Sequence, residues 1–227
     1  MALSRPDTLW SFQRDGHHLE PVRAFCLEIC AGSARLTAQL RKMGFDAWAV
    51  DHKGSRLVPE TPALFFLDLT IPEDICRLQR LLQHPLLVYV HFSPPCGTCS
   101  RAREIAVPGL PGGGPPPVRS EAFPLGFPDL AERLPREHPR VQAANAIYKV
   151  IANVANDLIA RGVAWSIENP SNSILWHIPF MRDLLQRASV AEVKFQHCMY
   201  GGLRDKWTSF WHYPGSFLEP LRCQCDW

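Results

Sequence analysis

The run "VYVHFSPPCGTCS", residues 88 to 100, carries an apolar, β-branched stretch into two prolines and then presents Cys96 beyond the strand end. With Arg101 and Arg103 close in sequence, a thiol placed there is expected to have a lowered pKa and thiolate character, which makes it a candidate nucleophile. By position alone an inert, packed cysteine is the commoner outcome, so a partner has to decide. Glu168, in "VAWSIENP", is the discriminating residue. A carboxyl at the end of an apolar strand is expensive to bury unless it is neutral or hydrogen-bonded, and a protonated one can donate to a substrate. Cys96 as nucleophile and Glu168 as acid on adjacent strand ends form a workable pair.

A second constellation lies earlier in the chain. Ala31, Gly32 and Ser33 follow one apolar run, Asp51 closes the next, and Asp68 sits near the end of a third. Small residues after a first strand let a cofactor approach the backbone and a helix N-terminus, and an acid after the second strand can accept from ribose hydroxyls. Such turns often serve only strand-to-helix packing, and a lone aspartate is more often a cap or a solvated charge. Their conjunction is a nucleoside-cofactor layout.

The elements that must position these residues read as alternating strands and helices. "FCLEICAG" is a buried strand ending in a small-residue turn, and "SARLTAQLRKMG" a helix with Leu36, Leu40 and Met43 on one face, Ser33 as its N-cap and Gly44 as its stop. "DAWAVD" and "ALFFLDLT" are strands; Pro72 opens a helix with Glu73 and Asp74 in its first turn and Ile75, Leu78 and Leu82 inside. "LLVYVHF" is the most strand-like run. Residues 105 to 137 are crowded with Pro and Gly and show no period, so a long loop is expected, which in a compact domain is usually functional or disordered. From Pro139 a helical stripe runs through Val141, Ala144, Ile147, Ile151, Val154 and Leu158 to Gly162. "VAWSIEN" is a strand, "PFMRDLLQRA" a helix, and "VAEVKFQHC" with "WTSFWHY" a final pair joined by a turn. The order predicts an α/β wound sheet.

The totals are compatible with this. The 227 residues fit one α/β domain, and 46% hydrophobic with 20% charged residues suits a globular core. A net charge of +2 does not announce a nucleic-acid binder, so any basic surface must come from local clusters. No signal-peptide core and no bilayer-length apolar run is present, so an intracellular protein, nuclear or cytoplasmic, with no membrane partner is expected. Eight cysteines in a chain of this size are expected to be reduced.

Together the motifs resemble the catalytic region of DNA cytosine carbon-5 methyltransferases. "LEICAGSARLTAQLRKMGFDAWAVD" resembles their cofactor motif, "SPPCGTCS" their Pro-Cys motif, "IENP" their Glu-Asn-Val motif and "YGGLRDKWTSFW" their Tyr-Gly turn and the strand after it, in the family's order over roughly residues 24 to 213. The resemblance implies a Rossmann-like S-adenosylmethionine-dependent methyltransferase fold, mostly parallel with an antiparallel C-terminal strand pair. It implies a domain at 24–213 with 105–137 as a mobile active-site loop, an N-terminal extension at 1–23 and a tail at 214–227. It assigns Glu28, Ala31, Gly32, Ser33, Asp51, His52, Asp68 and Pro94 to S-adenosylmethionine. Cys96 would attack carbon 6 of a cytosine extruded from DNA, Glu168 would contact ring nitrogen 3, Asn169 would hold the Cys96 loop, and Arg204 and Lys206 would supply cations. Ser100, Arg101, Arg103 and Arg119 would meet DNA phosphates, with RNA as the alternative polymer. The chain lacks the family's target-recognition domain before "CQCDW", so that region is expected in a longer parent chain or a partner.

Rival readings are a Cys96/Cys99 redox pair, a zinc site of those two with Cys223 and Cys225, an inactive nucleic-acid binding module, and a methyltransferase acting on an exocyclic amine. The prolines around the cysteines disfavour the redox pair, and zinc would consume the nucleophile; no metal is expected.

Overall fold

The computed structural model describes residues 12–14, 17–19, 21, 23–106, 108–109, 114–203 and 205–222. The chain divides into two compact units, Met1–Val90 and His91–Trp227, with the division inside one strand.

The first unit begins with a short antiparallel hairpin of β1 (Phe12–Arg14) and β2 (His17–Leu19). β3 (Phe25–Ile29) is buried along its whole length, as expected for a strand covered on both faces. α1 (Arg35–Lys42), β4 (Asp46–Asp51), β5 (Leu64–Phe66) and α2 (Pro72–Leu82) follow, then β6 (Leu87–Phe92). β3 and β5 each run parallel to β4, with Glu28 opposite Ala49 and Asp51 opposite Phe66. The order β5-β4-β3-β6 steps outward from β3 and then reverses to its other side. That reversal defines a doubly wound sheet, whose ligands bind beyond the carboxyl ends of the strands. Phe25 packs its ring against Trp48 and His84, and Leu78, Leu81 and Leu82 of α2 are buried.

The second unit takes up the end of β6 and continues in the order β7-β9-β8, where β7 is Ala164–Pro170, β8 is Ala191–Gln196 and β9 is Trp207–Tyr213. β9 is antiparallel to both neighbours, with Glu168 opposite Phe210 and Phe195 opposite Thr208. This is the expected Rossmann-like fold with its antiparallel C-terminal pair. α4 (His138–Ala160) packs on β7 and on α5 (Pro179–Leu185), burying Val141, Tyr148, Ile151 and Leu158 at about 1.5–3 kcal/mol for each large apolar side chain.

Two local expectations are corrected. The N-cap of α1 is Ala34, left-handed at φ 53° and without a side-chain cap, so Ser33 does not cap the helix. Ala34 is held there because it is fully buried in a small cluster with Ala31, Ala49 and Leu64. Residues 114–137 are not a structureless loop either. Val118 and Leu130 of α3 (Leu130–Arg133) join Val141 in a buried cluster with Phe127 and Leu134 against it. Gly126 is required in it: its φ is +118°, and a Cβ would meet Val141 at 2.9 Å.

Candidate functional site

In the first unit, the carboxyl ends of β3, β4 and β5 gather Glu28, Gly32, Asp51, His52 and Asp68. The turn after β3 alternates into left-handed backbone at Cys30, Gly32 and Ala34. Both oxygens of Asp51 accept backbone N–H groups, Oδ2 from Gly32 and Oδ1 from His52, each at 2.8 Å. Asp51 thus ties two strand ends together, and each oxygen keeps a lone pair for a further donor. Leu57 stands close over Gly32, whose φ is +56°: a Cβ there would lie 2.8 Å from the Leu57 side chain.

Glu28 is buried and accepts from the backbone N–H and hydroxyl of Thr37, at 2.7 and 2.6 Å, so its carboxyl occupies the N-terminal end of α1. Burial pushes its pKa up, opposed by the Thr37 and Leu36 hydrogen bonds, and Asp51 adds to the rise. A helix N-terminus already facing a carboxyl, beside a second one, is poorly suited to a dinucleotide's pyrophosphate and well suited to a cofactor carrying positive charge. Asp68 accepts from the Thr70 hydroxyl and backbone N–H; the hydroxyl bond first, then the backbone bond and His52, lower its pKa against a smaller desolvation effect. Ala31 is buried, and Ser33 offers its carbonyl to Glu60 N–H.

In the second unit, Cys96, Glu168 and Lys206 come together. Lys206 Nζ donates to Glu168 Oε1 at 3.2 Å; Oε2 has no hydrogen-bond partner among the described residues. Cys96 is exposed, yet desolvation by the protein around its sulfur raises the thiol pKa. The Glu168 carboxylate raises it further, and the Lys206 ammonium opposes both. The expected lowering by Arg101 and Arg103 is therefore corrected, because those guanidiniums are engaged elsewhere.

The Cys96 loop is held from two sides. Asn169 is buried and its Nδ2 donates to the carbonyl of Pro94 at 3.2 Å, while the Tyr148 hydroxyl donates to the carbonyl of Pro95 at 2.5 Å. Below them His91 is buried between Ser166 and Ser93 hydroxyls, and burial depresses its pKa to about 4. Cys99 is fully buried, and its pKa is raised by burial.

The residues assigned to phosphates separate. Ser100 caps the 3-10 turn at Arg101–Glu104 by accepting from Ala102 N–H. Arg101 is paired with Glu104 and Glu121 and donates to the Asn172 carbonyl. Arg103 and Arg119 are buried and spend their terminal guanidinium nitrogens on internal acceptors, with Arg119 Nε buried and unpartnered among the described residues, which removes both from any phosphate-facing surface. Arg103 donates to the carbonyls of Gly97 and Pro116 and to Glu137; Arg119 donates to the Pro124 and Val141 carbonyls, Asn145 Oδ1 and Thr98 Oγ1. Arg204, Cys223 and Cys225 lie outside the described residues.

Sequence reasoning missed His197, which follows β8 in "VKFQHC" and was absorbed into the strand. Its Nε2 lies 2.8 Å from Thr208 Oγ1, and its backbone N–H donates to the Lys206 carbonyl. It also missed Tyr148, whose place between Ala144 and Ile151 on the buried face of α4 was the available signal. Among the described residues no cluster of three or more His, Cys, Asp or Glu could hold a metal ion, and no helix is long and apolar enough to cross a membrane.

No protein-family model matches this chain, and no curated protein matches it. Among solved structures it is similar to the glycopeptide N-methyltransferase MtfA, at 11% identity and a TM-score of 0.31, over 85% of this chain and 84% of that one.

Proposed function

We propose that this chain transfers a methyl group from S-adenosylmethionine to carbon 5 of cytosine in DNA through a covalent Cys96 adduct. What supports the reading above all is the meeting of Cys96, Glu168 and Lys206, with Asn169 clamping the loop that carries the thiol. S-adenosylmethionine would supply an electrophilic methyl group. Gly32, Asp51, His52 and Asp68, with Glu28 behind them, would hold it; the flanking carboxylates suit a cationic nucleoside.

The chemistry of this chain's own residues follows from their placement. The Cys96 sulfur adds to carbon 6, which pushes electron density to carbon 5. Glu168, fixed through Oε1 by Lys206, keeps Oε2 to take the Cys96 thiol proton and deliver it to ring nitrogen 3, which makes carbon 6 a better electrophile as the sulfur adds. The cytosine must leave its stack to reach the thiol, so the substrate is an extruded or single-stranded base.

The test is covalent capture. Single-stranded and duplex DNA carrying 5-fluorocytosine, incubated with the chain and S-adenosylmethionine, should give an adduct that survives detergent, and Cys96→Ser should give none. An adduct with RNA alone would move the substrate to that polymer. A Cys96→Ser variant that methylates at the normal rate would defeat the adduct and favour an exocyclic amine as acceptor.

A further inference from the structure

Carbon-5 methylation through a C6 adduct leaves a proton on carbon 5 that has to depart before the enzyme can let go. Glu168 is committed to Lys206 and the ring, and Lys206 is a hydrogen-bonded ammonium. One further titratable side chain is fixed beside this pair. His197, opening the 3-10 turn His197–Tyr200, is held by Thr208 of β9 through Nε2 at 2.8 Å and by the Lys206 carbonyl through its backbone N–H at 3.1 Å. Its ring stacks on Phe195 of β8, centroids 5.8 Å apart and 9° from parallel. When Nε2–H donates to the Thr208 hydroxyl, Nδ1 is left with its lone pair, and no described residue engages it.

We infer that His197 is the base that removes the carbon-5 proton and so releases the product, an inference that rests on the carbon-5 reading above. In the adduct, carbon 6 is bonded to Cys96 sulfur and carbon 5 bears both methyl and hydrogen. His197 Nδ1 takes the hydrogen as a proton, the C–H pair becomes the 5,6 double bond, and the C–S pair leaves on sulfur as thiolate, next to the Lys206 ammonium. The charged groups acting on His197 are Lys206 and Glu168, and its pKa lies below the usual 6.5, mainly through burial, with Lys206 lowering it and Glu168 opposing. The imidazole is therefore neutral and basic at physiological pH.

The experiment separates addition from release. His197→Gln should still form the 5-fluorocytosine adduct, since fluorine cannot leave as a proton. With ordinary cytosine and labelled S-adenosylmethionine it should instead accumulate a methylated, detergent-stable DNA–protein complex that the wild type does not, with turnover down roughly 100-fold, the low end for general-base catalysis. Without any methyl donor, tritium washout from carbon 5 of [5-³H]cytosine DNA should slow by a similar factor. In the wild type, release after a single turnover should slow as pH falls below 6.5, a measurement that needs no variant to fold. Unchanged turnover and washout in His197→Gln, or loss of its 5-fluorocytosine adduct, or pH-independent release in the wild type, would each overturn the inference. Absence of any wild-type adduct would instead fell the carbon-5 reading, and this role with it.

Discussion

Arg119 gives the sharpest test of how the site is built. Its guanidinium is buried and donates to four acceptors reaching from Thr98 to Asn145, while its plane lies over the Tyr148 ring at 5.7 Å. Arg119→Ala strands those acceptors. The two served by Nη2, Thr98 Oγ1 and the Val141 carbonyl, are the buried ones. At about 1–3 kcal/mol for each acceptor left dry, the loss is about 2–6 kcal/mol. For a chain of this size that lowers the melting temperature by roughly 10 °C, readable by differential scanning calorimetry. Arg119→Lys should fall between, because one ammonium cannot span the four acceptors. A phosphate-binding arginine behaves oppositely, leaving the melt unchanged and reducing the salt dependence of DNA binding by about one ion. A melt within about 1 kcal/mol of wild type together with a reduced salt slope would refute the structural role.

Glu168→Gln removes the carboxylate that raises the Cys96 pKa, so iodoacetamide alkylation of Cys96 near pH 7.5 should speed up severalfold while 5-fluorocytosine capture collapses; slower alkylation would contradict the charge arrangement. Gly32→Ala forces a side chain into a left-handed position and against Leu57, and should weaken S-adenosylmethionine binding in calorimetry at least tenfold without unfolding the chain. His91 predicts the acid limb of stability. Its folded pKa of about 4 lies below the unfolded 6.5, so the unfolded chain binds the extra proton between them. Stability from this group is complete above pH 6.5 and falls by about 3 kcal/mol as pH drops towards 4. His91→Gln should flatten that limb of a urea-midpoint series against pH.

The parts of this fold that depend on local periodicity were legible in the sequence. "DAWAVD" is β4 to the residue, Pro72 opens α2, and Gly162 follows the end of α4. Cys96 and Glu168 were legible as a pair because both end apolar runs. What escaped depends on partners far along the chain. Nothing near Arg103 or Arg119 announces Glu137 or Asn145, and a composition rich in proline and glycine reports missing hydrogen-bond periodicity, not missing packing, so the cluster of Val118, Leu130 and Val141 was invisible. The Cys96 pKa went the other way for a related reason: sequence neighbours suggested arginines, whereas burial around the sulfur and the Glu168 carboxylate from β7 raise it, against a smaller lowering by Lys206 beside β9. His197 was hidden at a strand end, where its role depends on Thr208 across the antiparallel pair.

Two successive peptide oxygens, those of Pro94 and Pro95, are each gripped by a side chain, one from β7 and one from α4. The sulfur that follows them is mounted on a stiff bracket instead of a tether. A covalent reagent aimed at Cys96 would meet a thiol of set direction, so selectivity among electrophiles should be governed by the angle at which each scaffold offers its reactive carbon, and lengthening a flexible linker should gain little.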